Sequence, residues 1–111
     1  MAHFMLSCNY SAESKSALIA NPVDRSKAAA AAVEAVGGKL HSAFMAFGDT
    51  DIIVIYEAPD AIASAALAMT LGASGTFSSI KTTALLSIPD TIKALKMSAE
   101  TRGAYKPPSS R

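Results

Sequence analysis

Two histidines, His3 and His41, are the only imidazoles in the chain. Imidazole is the side chain best suited to proton transfer near neutral pH and to binding metals or haem iron. Both fall in stretches that read as strands. If those strands flank a common neighbour they run parallel, and the two histidines sit near the same end, two strand spacings or roughly 10 Å apart. That separation is too wide for a shared zinc, whose histidine ligands lie at about 2 Å. Each histidine is then a candidate haem ligand or general base on its own, beside the plainer reading of a strand-end histidine in water. Asn9 could orient a carbonyl, and Tyr56 could donate a hydrogen bond into a cavity; these complete the candidate catalytic set. Met5, Met45 and Phe47 are candidate ligand-binding side chains. Asp49 and Asp51 could hold a hard cation together with further oxygens, but aspartate in a turn more often bonds local backbone groups. Cys8 would be reactive only with a lowered pKa, and in a central strand it is expected to be a small buried apolar group. There is no phosphate loop, no Ser-His-Asp pattern and no CxxC, so neither a cofactor nor a metal is expected.

These residues need elements to hold them. A chain of 111 residues makes one domain. Half of it is apolar and 17% charged, against about a quarter for ordinary soluble domains. A net charge of +1 with scattered Lys and Arg leaves no nucleic-acid footprint. One cysteine excludes an internal disulfide. The uncharged run from Ala61 to Ile80 is broken by Gly72 and Gly75 and diluted by Ser and Thr, so a buried helix followed by a strand is expected, not a membrane span. No targeting segment is evident, and the expected location is the cytoplasm.

Alternation predicts a first strand over His3 to Tyr10, with His3, Met5, Ser7 and Asn9 facing one way. A short helical turn follows, then a helix from about Val23 to Val36 closed by Gly37 and Gly38. The second strand, Lys39 to Phe47, places His41, Ala43, Met45 and Phe47 on one face. A turn at 48 to 51 leads to a third strand, Ile52 to Glu57. Pro59 opens a helix to about Leu71, and Thr76 to Leu86 is a fourth strand with Phe77, Ser79 and Lys81 on a common face. Ser87 caps a last helix to about Ala99, with Ile88, Ile92 and Leu95 on one stripe. Residues 1 to 100 form the domain, and Arg102 to Arg111 read as a flexible tail. The order βαββαβ plus a C-terminal helix is the α+β, ferredoxin-like split βαβ arrangement: a four-stranded antiparallel sheet with helices on one face and the first and third strands central.

The third strand poses a problem. Ile52, Val54 and Tyr56 form one face and Ile53, Ile55 and Glu57 the other, so both faces are largely apolar. Only one can meet the helices. Met5, Ala43, Met45 and Phe47 extend the other face, and apolar patches of that size mark interaction surfaces. The expected cover is a second copy of the chain, a dimer being the commonest homo-oligomer. The alternative is a monomer covered by its own last helix and tail.

The stretch from Asn21 to Asp60 resembles the GYD domain family. It combines a Pro-led helix, Gly37-Gly38-Lys39, a Gly-x-x-Asp turn, an apolar strand and Glu57-Ala58-Pro59-Asp60. The likeness runs through "GASGTFSSIKTTAL" at 72 to 85 and covers about residues 3 to 95. Thr50 stands where the family's tyrosine is expected. The resemblance implies a dimeric α/β barrel but no common activity. Three functions follow as expectations: binding of a small apolar molecule in a cavity on the open sheet face, cofactor-free monooxygenase or isomerase chemistry in that cavity, or assembly alone.

Overall fold

A computed structural model describes residues 1 to 109. The chain runs β1 (Ala2–Tyr10), α1 (Ala12–Ala20), α2 (Ser26–Ala35), β2 (Lys39–Met45), β3 (Ile52–Ala58), α3 (Ala61–Ala73), β4 (Phe77–Leu85) and α4 (Ile88–Thr101), with a 3-10 turn at Arg102–Ala104. The strands form one antiparallel sheet in the order β2-β3-β1-β4. This is the ferredoxin-like arrangement, with β1 and β3 central as their apolar character requires.

Local chemistry accounts for the helix ends. The Ser11 hydroxyl accepts from Ser14 N, so the expected helical turn becomes a nine-residue helix. The Asp24 carboxylate accepts from both Ser26 N and Ser26 Oγ, which holds an Asx turn and delays α2 to Ser26. Asp60 and Ser87 accept from Ala63 N and Asp90 N, capping α3 and α4. Gly37 takes φ +83°, the left-handed conformation that ends α2 and admits β2.

The core lies between the sheet and one layer of helices. Phe4, Leu6, Cys8 and Tyr10 of β1 and Ile52, Val54, Tyr56 and Ala58 of β3 are buried, and Val33 of α2 and Leu67 of α3 close over them. Tyr56 is fully buried, stacks on Phe4 with ring centroids 5.6 Å apart, and shares a 2.5 Å hydrogen bond with Ser64 of α3.

Two bulges correct the expected faces. In β2, Leu40 pairs with Tyr56 and Ser42 with Ile55, leaving His41 as an extra residue. Beyond it the alternation reverses: Ala43 and Met45 pair with Val54 and Ile52 on the helix side, while Ser42 and Phe44 take the open side. Ala43 and Met45 therefore do not extend the open face. Phe47 lies past the end of β2, fully exposed. In β4 a register shift sets Tyr10 against Phe77 but Asn9 against Ser79, so Phe77 turns to the helix side, where its ring lies 5.3 Å from that of Tyr10.

The last helix does not cover the sheet. α4 packs substantially only against the 3-10 turn that follows it, and Ile88, Ile92 and Leu95 are exposed. The principal extents, 62 × 31 × 23 Å, and a radius of gyration of 17.9 Å fit a projecting arm; a compact chain of this length has a radius of about 13 Å. In this structure the last helix therefore does not seal the sheet. No helix among the described residues is long and apolar enough to cross a membrane.

Candidate functional site

Glu57 is the one charged residue of β3. The alternation that buries Tyr56 and Ala58 turns Glu57 to the open face. His3 is its register partner on β1. On the other side, the β2 bulge aims His41 at the same carboxylate. His41 Nε2 lies 2.7 Å from Glu57 Oε2, and His3 Nε2 lies 3.7 Å from Glu57 Oε1. The imidazole rings are 5.4 Å apart, tilted by 38°. The sequence-based separation of roughly 10 Å holds for strand axes flanking β3, and here both rings lean inward over the strand between them. One ligand atom from each of His3, His41 and Glu57 falls within a mutual 4.8 Å, the only such metal-sized group among the described residues.

The electrostatics favour an ionised carboxylate. The hydrogen bond from His41 holds Glu57 below the usual glutamate range, and positive charge on His41 and His3 acts in the same direction. Gly38 keeps the group compact, because a Cβ there would collide with the Glu57 carbonyl oxygen and press on Val33.

From this polar end the open face runs into an apolar floor. Met5 pairs with Ile55, Ser7 with Ile53, and Phe44 with Ile53 from the other side. Phe44 is 62% exposed, and Met5, Ile53 and Ile55 are half-buried. Leu85, Thr83 and Lys81 of β4 border the floor beside His3, Met5 and Ser7.

The remaining candidates lie elsewhere. Asn9 is on the open face at the far end of β1, about 20 Å along the strand from His3, and donates to Ser79 Oγ at 2.9 Å. Tyr56 points into the helix-side core and does not reach the open face. Asp51 Oδ2 accepts from Tyr10 N at 3.0 Å and pairs with Lys15 at 3.3 Å, so it ties the β2–β3 turn to β1. Asp49 does not join it in a metal-sized group. Met45 lines a helix-side cleft of about 310 Å³ with Leu18, Pro22 and Val23. A second cleft, of about 220 Å³, reaches Cys8 and Tyr10 beneath α2 and α3. Burial pushes the Cys8 thiol up to about 11, so it is no nucleophile near neutral pH.

Glu57 was absent from the sequence-based candidates. Its signal was present: a lone charge in an apolar strand, in register with a histidine. The inward lean of two side chains over a shared neighbour is what pattern reading lacked.

The fold and this arrangement can be set beside known families. The GYD domain model matches residues 4–104. The chain belongs to the GYD domain family. No curated protein matches it. In this GYD protein the turn between β2 and β3 includes Gly48, Asp49, Thr50 and Asp51, and the Asp51 carboxylate anchors it to β1.

Proposed function

We propose that this GYD protein acts as a homodimer. Its two sheets pack open face to open face around a chamber for a small apolar molecule, with His3, His41 and Glu57 at the polar end. The observation that carries the reading is the uncovered floor of Met5, Ile53, Ile55 and Phe44. Taking one such side chain from full exposure to full burial is worth about 1.5–3 kcal/mol, and no element among the described residues packs over this face. A second copy also offers a surface for the exposed stripe of α4, so one partner satisfies both. Native mass spectrometry of the purified protein tests this. The expected result is two chains, with extra mass for a retained ligand, and a single chain for Ile55→Glu. A wild type of one chain at micromolar concentration overturns the reading. A dimer that never retains or takes up an apolar molecule reduces it to assembly alone.

The 2.7 Å bond between His41 and Glu57 favours a second reading, a cofactor-free enzyme of the isomerase or monooxygenase kind. Paired this way, the two residues can take a proton from a ligand carbon and return it elsewhere. Solvent deuterium would then enter a chamber ligand at the carbon that receives the proton, and Glu57→Gln would abolish the exchange. Exchange that persists in the variant removes the pair from the chemistry.

A further inference from the structure

We propose that His3, His41 and Glu57 form a binding site for a divalent transition-metal ion such as Zn²⁺. Three strands each supply one ligand. The donor set, two imidazole nitrogens and one carboxylate oxygen, is borderline in softness, which selects Zn²⁺, Co²⁺, Ni²⁺ or Fe²⁺ over Mg²⁺ and Ca²⁺. The geometry is close to what coordination needs. At bond lengths of about 2.0–2.1 Å, tetrahedral ligand atoms stand about 3.3 Å apart. The present contacts between the histidines and Glu57 are 2.7 and 3.7 Å, within a group that spans no more than 4.8 Å. Small rotations of side chains that are 40%, 41% and 21% exposed close the difference.

Two features separate this group from a chance surface cluster. The chain has two histidines in all, and both converge on one carboxylate. One arrives through a bulge, a device that re-aims a side chain at the cost of a ladder position. Three protein ligands would leave a fourth position open, the pattern of catalytic sites rather than closed structural ones. In that position an ion would polarise a ligand oxygen or activate a bound water. The inference does not depend on the dimer, because one chain supplies all three ligands.

The test uses untagged full-length protein, stripped with chelator and titrated with Zn²⁺ by calorimetry. Co²⁺ serves as a spectroscopic probe of nitrogen and oxygen ligation. We expect one ion per chain and a raised Tm. His3→Ala, His41→Ala and Glu57→Gln should each weaken binding by at least about 100-fold, since outer-shell changes alone cost 10–100-fold. Circular dichroism confirms that each variant is folded. Glu57→Gln preserves side-chain volume, and it decides the matter if a histidine variant unfolds. Absence of uptake by the wild type overturns the site, as does uptake that survives Glu57→Gln unchanged. Stoichiometry is counted per chain, so failure of the dimer leaves this result readable.

Discussion

His41 and Glu57, sixteen residues apart in the chain, meet at 2.7 Å because β2 carries one residue more than its partner strand needs. Their contact is a product of strand register, not of local sequence. It sits where an apolar sheet face turns polar.

The Tyr56–Ser64 hydrogen bond joins β3 to α3 inside the core. Both hydroxyls are buried, so removing one leaves the other unpaired. Tyr56→Phe and Ser64→Ala should each destabilise by about 1–3 kcal/mol, with the double variant costing little more than either single one. Urea unfolding of the four proteins measures this. Additive losses would mean that the two groups act independently.

Cys8 sets an alkaline limit. Its thiol is buried, with a folded pKa of about 11 against 9.0 for the free group. The folded state therefore holds its proton more tightly. The stabilisation is complete below about pH 9 and declines as pH rises to about 11, by about 2–3 kcal/mol in all. Burial raises Tyr10 and Tyr56 too, which adds loss of the same sign. Chemical denaturation across pH 8 to 11 should show this decline, and Cys8→Ala should flatten part of it. A thiol reagent at neutral pH should label the unfolded chain but spare the native one.

Gly38 lies where α2 hands over to β2. A methyl group there meets the Glu57 carbonyl oxygen and the Val33 side chain. Gly38→Ala should cost about 1–3 kcal/mol, the usual penalty of overpacking, and should shift the Glu57 amide resonance. Gly48→Ala meets nothing within 4 Å and is the matched control. Equal stability of the two variants would show that the backbone absorbs the collision.

Asp51 and Lys15 divide unequally. The carboxylate accepts from the part-buried Tyr10 N–H, while the ammonium is 56% exposed. Asp51→Ala should cost about 1–3 kcal/mol through an unpaired donor. Lys15→Ala should cost less than about 1 kcal/mol, as exposed ion pairs do. Thermal unfolding of both variants gives the ratio.

Fold and family were legible because their signals are long. Alternation over β1, the two-faced β3, the Gly37-Gly38 stop and the Ser87 cap each span several residues and agree with one topology. The faces of β2 and β4 were not legible past their bulges. A single extra residue shifts a period-two pattern by half a cycle, and neither Ser78 nor His41 differs in type from a regular strand residue. Phe77, Ala43 and Met45 were misplaced for that reason alone. Tyr56, expected as a donor into a cavity, faces the core instead, and its partner Ser64 could not be foreseen from a helix otherwise rich in alanine.

The bulge has a consequence for how this site could arise or disappear. Leu40 and Ser42 already occupy consecutive ladder positions, opposite Tyr56 and Ile55. A chain lacking residue 41 would form an uninterrupted β2 with every other side chain facing as it does now. His41 is thus a graft on a finished strand. One codon gained or lost adds or removes an imidazole and leaves the scaffold in register, so the chemistry of this end of the sheet can change in a single genetic step without renegotiating the core.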